Sequence, residues 1–302
     1  MRVKGLSKVL ATAAILLLLA WFVDVDEALL LLKQTDWRWL ILVVLVIQFQ
    51  VVLSAIRWKI TAGRLGQSLT LRRAISEYYL ATVANMSLPG GITGDAARIY
   101  RNRESGSLGV SVQGVVLERV AGQFALLLIV IVGWLCWPLL MSGSVPAFGV
   151  QVLGTTALLI ILIGAGCYLL VKFAPDRITR AVLDFGPALY AAWWSDRQWI
   201  VQGVLSIAIV SSYLLVFLLC SYAVQAPLPF FALVTIVPLV LLSMLIPLSI
   251  GGWGIREAAA AVLWPVAGLS AEAGIATSIA YALLSLVGSL PGLLLWLATS
   301  RE

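Results

Sequence analysis

Two short stretches of this chain, residues 88–98 and 246–256, combine proline, glycine and arginine at matching positions. Aligned on Pro89 and Pro247, both have isoleucine three places on, glycine five places on and arginine nine places on. Glycine lets backbone N–H groups point at one place, and arginine forms paired hydrogen bonds with phosphate or carboxylate oxygens. The pattern therefore predicts two related turns that bind an anion.

The first motif is predicted to place a phosphate at the start of a helix. Gly90, Gly91 and Gly94 permit positive φ angles, and a helix is expected to begin at Asp95 or just after it. The positive end of that helix, the free amides and Arg98 would then face one phosphate oxygen. The second motif repeats the arrangement with Gly251, Gly252, Gly254 and Arg256.

Asp95 complicates this interpretation, because a carboxylate that caps the helix competes with an anionic ligand for the same N–H groups. It is equally consistent with a carboxylate that holds Arg98 or Arg101 in place. The simpler alternative for both motifs is a tight turn between short helices, with the arginines anchored at the lipid headgroups. Two similar motifs in opposed orientation favour a functional site.

Other charged residues also fall near membrane depth. Glu118 and Arg119 are adjacent and so point to different helix faces, which means that each needs another partner or water. A pair at the membrane edge is the alternative. Glu77 and Glu257 are candidates for proton coupling, since an unpaired charge there costs at least about 2.5 kcal/mol. For Glu257, stabilisation of the first helical turn or pairing with Arg256 is the alternative.

Composition identifies the chain as an integral membrane protein. Of its 302 residues 62% are hydrophobic and 11% are charged, and apolar runs repeatedly reach the length that crosses a bilayer. Histidine is absent, which removes the commonest general base and metal ligand. The widely spaced Cys136, Cys167 and Cys220 suit buried apolar positions rather than a metal site.

The hydrophobic pattern predicts an all-α, polytopic membrane helical bundle with about six full spans plus two re-entrant broken-helix segments that form an inverted repeat. Residues 95–107 carry too many charges for a lipid-facing return span, so the chain should turn back after the first motif. The full spans are expected near residues 6–23, 37–56, 115–140, 150–171, 199–224 and 275–298, and the re-entrant segments at 74–88 and 230–248.

A single membrane domain is expected to occupy residues 1–302, with repeat halves at about 37–140 and 199–298. This topology leaves only Lys33, Arg38 and Arg256 of the basic residues on one face, so the positive-inside rule makes the other face and both termini cytoplasmic. The first apolar run is interpreted as a retained signal anchor. The sequence from Arg57 to Lys59 is interpreted as an interface anchor.

The chain resembles a flippase-like integral membrane family that includes the transmembrane region of lysylphosphatidylglycerol synthase and related stand-alone membrane proteins. The resemblance covers nearly all residues and departs at Thr93, where the family pattern usually has glycine. It rests on Arg57 and Trp58, Leu117 and Gly122, and the two motifs with their neighbours. It implies substrate binding by Asn85, Pro89, Gly90, Gly91, Gly94, Asp95, Arg98, Glu118, Arg119, Ser249, Gly251, Gly252, Gly254, Arg256 and Glu257.

The resemblance implies movement of a lipid or lipid-linked headgroup between leaflets. Our own hypothesis places this movement in a prokaryotic cytoplasmic membrane, with Arg98 and Arg256 holding an anionic headgroup from opposite sides of one central cavity. We expect an anionic phospholipid or lipid-linked substrate, no cofactor, no nucleic acid and no enzymatic activity. A homo-oligomer and a complex with a lipid-synthesis enzyme both stay open. The alternatives are a non-catalytic lipid-binding subunit and, less favoured, a lipid-modifying enzyme that uses Asp95, Glu118 or Glu257.

Overall fold

A computed structural model describes residues 2–88, 91–103, 107–141, 146–173, 183–246 and 249–292. Pro89, Gly90 and Pro247 lie outside the described residues, as does the end of the span expected at 275–298. The helices are α1 (Arg2–Phe22), α2 (Val25–Lys33), α3 (Trp37–Arg64), α4 (Leu71–Ser87), α5 (Thr93–Arg101), α6 (Leu108–Leu135), α7 (Trp137–Met141), α8 (Ala147–Phe173), α9 (Phe185–Leu189), α10 (Gln198–Ala223), α11 (Phe230–Thr235), α12 (Val237–Ser243), α13 (Ile255–Leu263) and α14 (Ala271–Ser289).

The predicted all-α membrane fold is confirmed. Four helical segments within the described residues are long and apolar enough to cross a bilayer: Trp37–Arg64, Leu108–Leu135, Phe185–Ala223 and Ala271–Ser289. The last two overlap the spans expected near 199–224 and 275–298. The helices α1 and α8 coincide with the remaining two expected spans, but their apolar parts, Ser7–Phe22 and Ala147–Leu162, are shorter. The count of six spans therefore stays a prediction.

Short polar side chains begin several helices, as their sequences suggest. The Asp36 carboxylate accepts a hydrogen bond from the N–H of Arg38 at the start of α3, and the Ser107 hydroxyl accepts from Val110 at the start of α6. Thr70 and Ser270 do the same for α4 and α14. Such caps satisfy N–H groups that the first helical turn leaves free.

Each proline-glycine motif lies in a hairpin of short helices. The first hairpin pairs α4 with α5 in antiparallel fashion, since Asn85 bonds to Gly94 while Glu77 bonds to Arg101. α5 extends only about 14 Å, too short to cross a hydrocarbon core of about 30 Å. The second hairpin packs α12 against α13. The segment expected to be one apolar unit at 230–248 is broken at Ile236 into α11 and α12.

The two hairpins meet. A Cβ added to Gly251 in the second motif would overlap the backbone of Met86, near the end of α4. Within the first hairpin, a Cβ on Gly94 would overlap the backbone of Ala81, so α5 crosses α4 at close range. This contact between motifs agrees with the expected inverted repeat, whose re-entrant insertion into a membrane stays a prediction.

The ends of the bundle can be assigned from contacts. The helix α2, which leads into α3, packs on α14, and the N–H of Asp24 donates to Glu272 at the start of α14. The helices α3 and α14 therefore begin at the same end. Exposed Trp21 and Trp37 lie there, whereas exposed Trp199 begins α10 at the other end. Aromatic residues at both ends suit the two interfaces of a bilayer.

Candidate functional site

The first charge cluster comprises Arg57 on α3, Asp95 and Arg98 on α5, and Glu118 and Arg119 on α6. Glu118 stands at its centre and is 1% exposed. Its carboxylate accepts hydrogen bonds from Arg57 at 2.7 Å and from Arg98 at 2.9 Å. This carboxylate therefore joins α3, α5 and α6 through two buried guanidinium groups.

Aromatic rings and a second carboxylate complete the surroundings of Arg98. Its guanidinium lies 4.8 Å from the centre of the Trp58 ring and 5.0 Å from that of Tyr78. It also forms an ion pair with Asp95 at 2.9 Å. Arg98 is fully buried, so an anion reaches it only if a neighbouring group moves. This arrangement confirms the alternative that Asp95 holds Arg98.

Arg119 is the accessible member of the first charge cluster. Its side chain is 45% exposed, and it pairs with Asp95 at 2.6 Å. Glu118 and Arg119 thus have separate partners, as their positions on opposite helix faces predict. Three guanidinium groups face two carboxylates, so the cluster carries one net positive charge. Two Arg98 nitrogens, Nε and Nη1, have no hydrogen-bond partner in the described part of the chain, although Nε lies within the ion pair with Asp95.

The start of α5 differs from the prediction. The helix begins at Thr93 rather than near Asp95, and Gly94 lies in its first turn without a positive φ. The N–H of Gly94 donates to the Asn85 side chain at 2.8 Å, and the Asn85 amide in turn donates to Asp95. An acceptor from α4 thus occupies an amide that was expected to be free. Gly91 has the predicted positive φ, at 67°.

Glu77 is also paired. Its carboxylate accepts two hydrogen bonds from Arg101 and forms an ion pair with it at 2.6 Å. The pair ties the start of α4 to the end of α5, at the open end of the hairpin. This bonding is a structural role for Glu77, and its part in proton coupling stays a prediction.

The second charge cluster comprises Arg256, Glu257 and Ser278. Arg256 and Glu257 form an ion pair at 2.5 Å, and Arg256 also donates to the Ser278 hydroxyl on α14 at 2.8 Å. Both charged side chains are at most 1% exposed. The alternative expected for Glu257 is confirmed on both counts, since it pairs with Arg256 and accepts from the N–H of Gly254 at the start of α13.

The glycines of the second motif fit the prediction closely. Gly251, Gly252 and Gly254 have φ angles of 55°, 81° and 85°. Residues other than glycine rarely adopt such angles. The N–H of Ile250 in this loop donates to the hydroxyl of Thr12 on α1. Ser249 is 3% exposed, and its hydroxyl has no hydrogen-bond partner among the described residues.

The two motif arginines share no bonding partner among the described residues. No ion pair or hydrogen bond between described residues links the first charge cluster with the second. Arg57 lies about 30 Å along α3 from the end where both α3 and α14 begin, whereas Ser278 lies about 10 Å along α14 from that end. The clusters are therefore displaced toward opposite ends of the bundle, and no contact between described residues supports the expected binding of one headgroup by both Arg98 and Arg256.

Arg57, Trp58 and Ser278 were not predicted to lie at these clusters. Arg57 and Trp58 were expected at the interface, yet they are 3% and 1% exposed and face the first charge cluster. They do not lie at the end of the helix, because α3 continues for two further turns beyond them, to Arg64. Ser278 gave no signal, because an isolated serine in an apolar helix is unremarkable on sequence grounds.

Comparison with known protein families supports the membrane assignment. The model of the lysylphosphatidylglycerol synthase TM region matches residues 7–292, which include both hairpins and both charge clusters. A comparison with curated proteins found no match. This multi-pass membrane protein therefore belongs to the family of the lysylphosphatidylglycerol synthase transmembrane region.

Proposed function

We propose that this protein moves an anionic lipid or lipid-linked headgroup between the leaflets of a prokaryotic cytoplasmic membrane, with both termini on the cytoplasmic side. The observation that carries the proposal is the net positive charge of the first charge cluster, which lies between the long apolar helices α3 and α6. Burying charge among membrane helices is costly, and such groups generally mark a substrate or ion pathway.

Arg119 is the group that first contacts the anion in this proposal. It is half exposed, whereas Arg57, Arg98 and Arg256 are buried. An anion that replaces Asp95 on Arg119 gains charge-assisted hydrogen bonds. The freed Asp95 keeps its ion pair with Arg98 and its hydrogen bond from Asn85. The incoming headgroup therefore leaves no carboxylate without a partner.

The second charge cluster has a different role in this proposal. The Arg256 charge is neutralised by the adjacent Glu257, and the second motif packs directly on the end of α4. Arg256 thus positions the hairpin that supports the first motif, rather than binding the headgroup. Transport rather than catalysis is favoured because each acid proposed as a catalytic group is held in an ion pair.

The test is lipid movement in reconstituted vesicles that contain fluorescent phosphatidylglycerol. We expect Arg119→Gln to slow transfer about tenfold or more, the equivalent of losing one hydrogen bond to a charged group. Arg38→Gln serves as the matched control, since Arg38 is exposed at the far end of α3 and its substitution should leave transfer unchanged.

Three other results would each contradict the proposal. Equal transfer in protein-containing and empty vesicles would reject translocation. Chemical conversion of the lipid would identify an enzyme instead. Lipid binding without movement or conversion would favour a lipid-binding subunit, a role in which Arg119 matters for assembly.

A further inference from the structure

A groove runs along the outer face of α3, away from both charge clusters. It consists of two adjoining cavities with volumes of about 590 and 580 Å³, which share Lys59, Gly63 and Leu71. Leu71 begins α4, so the groove lies between the last turns of α3 and the start of the first hairpin. The further lining residues are Ile56, Ile60, Arg64, Gln67, Ser68, Leu69 and Thr70.

The groove is apolar at one end and basic at the other. Ile56, Ile60 and Gly63 follow one another on a single helical stripe, and Ile56 lies about 12 Å along α3 from Arg64. The hydroxyl groups of Ser68 and Thr70 lie in the turn beyond the basic end. A molecule that fits this groove must therefore have both an apolar part and a polar part.

The polar end attracts negative charge. Arg64 lies at this end, Lys59 lies between Ile56 and Ile60 along α3 and lines both cavities, and the lining residues include no acid. Lys59 is exposed and has no ion pair within the described part of the chain. Arg64 pairs with the exposed Asp196 at 2.6 Å, so the Lys59 charge is the one left for a ligand. A nearby surface cation in this setting favours anionic lipid by about 1 kcal/mol.

The groove has room for a ligand above Gly63. A Cβ added to Gly63 would have nothing within 4 Å, and Gly63 itself is exposed. The position therefore forms an open floor beside Arg64, near the basic end. A larger side chain there would fill the groove without disturbing the packing of the bundle.

We infer that this groove binds a phospholipid of the surrounding bilayer that has an anionic headgroup. Its phosphate contacts Lys59, and its acyl chains follow Ile56 and Ile60. Charge complementarity and the division into apolar and basic ends identify this occupant, since anionic phospholipid is the molecule in a bilayer that combines both features. This lipid is a resident ligand, distinct from any lipid that is transported.

The position of the groove links the resident lipid to the first charge cluster. Arg57 and Lys59 lie on opposite faces of the same turn of α3, one bonded to Glu118 and the other facing the groove. A lipid against both Lys59 and Leu71 contacts α3 and α4 together. These helices supply Arg57, Trp58 and Tyr78 to the surroundings of Arg98, so the lipid fixes the spacing of that site.

The test measures lipid retention by purified protein in detergent, using native mass spectrometry with phosphatidylglycerol and phosphatidylcholine as probes. We expect wild-type protein to retain phosphatidylglycerol preferentially. Lys59→Gln should weaken that binding about fivefold, as expected for one surface cation. Arg38→Gln removes an equal charge from the other end of α3 and should change nothing.

Gly63→Leu provides a second and independent variant. It keeps both cations, fills the groove and favours the helix, so it should lower the number of retained phosphatidylglycerol molecules by one while the protein remains folded. Equal retention by wild type, Lys59→Gln and Gly63→Leu would overturn the inference, as would equal retention of the two lipids. The measurement needs no transport, so its failure would leave the proposed function standing, and a failed transport assay would leave this groove intact.

Discussion

The two hairpins hold equivalent arginines by different means. Arg98 and Arg256 are each fully buried and lie near two aromatic rings, Trp58 and Tyr78 for the former and Trp253 and Tyr281 for the latter. In the first hairpin the Glu118 carboxylate comes from another helix and serves two arginines. In the second, the adjacent Glu257 neutralises Arg256 by itself.

The comparison extends to the neighbouring helix. Glu118 lies 20 residues after Arg98, and Ser278 lies 22 residues after Arg256. A carboxylate thus bonds the first arginine from the next long helix, whereas a neutral hydroxyl bonds the second. The first cluster is nevertheless the one with excess positive charge, because Arg57 and Arg119 join Arg98 against two carboxylates. The same local motif can therefore produce a site for an anion or a closed ion pair, depending on the charges that the neighbouring helices supply.

The largest expected effect is that of removing the shared carboxylate. Glu118→Gln leaves three guanidinium groups with one carboxylate, and breaking a buried ion pair costs about 3–5 kcal/mol. Glu257→Gln should cost less than Glu118→Gln, because it strands one arginine that still bonds to Ser278. Thermal or denaturant unfolding in detergent measures both changes in the free energy of unfolding.

Asp196→Asn is the matched control for this pair of variants. Its partner Arg64 is also partly exposed, so losing that ion pair should change stability by about 1 kcal/mol or less. If Glu257→Gln destabilised the protein more than Glu118→Gln, the distinction between a carboxylate that pairs with two arginines and one that pairs with a single arginine would be wrong.

The next largest effect concerns packing, where the two hairpins should behave alike. Gly94→Ala and Gly251→Ala each place a Cβ into a backbone, that of Ala81 and that of Met86 respectively. Overpacking of this kind costs about 1–3 kcal/mol, and Gly251 adds the strain of a positive φ. Gly154→Ala on α8, where a Cβ would meet nothing within 4 Å, is the control in the same unfolding measurement. A stability of Gly94→Ala or Gly251→Ala equal to that of the control would exclude these close contacts.

The smallest expected effect concerns the side chains that accept hydrogen bonds from backbone N–H groups in the two motifs. Asn85→Ala removes the acceptor for the N–H of Gly94, and Thr12→Val removes the acceptor for the N–H of Ile250. Each lost hydrogen bond should cost about 1 kcal/mol. Asn85→Ala should have the larger effect because Asp95 also loses a donor. Hydrogen exchange at each loop detects the change, and faster exchange at the wrong loop would contradict the assignment.

Much of the candidate site was visible in the sequence. The spacing of proline, glycine and arginine identified both hairpins, and glycine permits the positive φ angles found at Gly91 and Gly251. The positive φ angle expected at Gly94 was wrong, because a glycine that permits close helix packing cannot be distinguished in sequence from one that forms a turn. Arg57 was assigned to the interface because charge near the end of an apolar run usually marks one.

Apolar runs, the absence of histidine and the repeated motif are local properties of the chain, and they determined that this is a helical membrane protein with two related hairpins. Ion pairing is not local. Which arginine receives a carboxylate from another helix, and which cation remains exposed, depends on side chains far apart in sequence that meet only after the helices pack. Tertiary structure alone therefore decided that Glu118 joins Arg57 to Arg98, and that the two clusters differ in net charge.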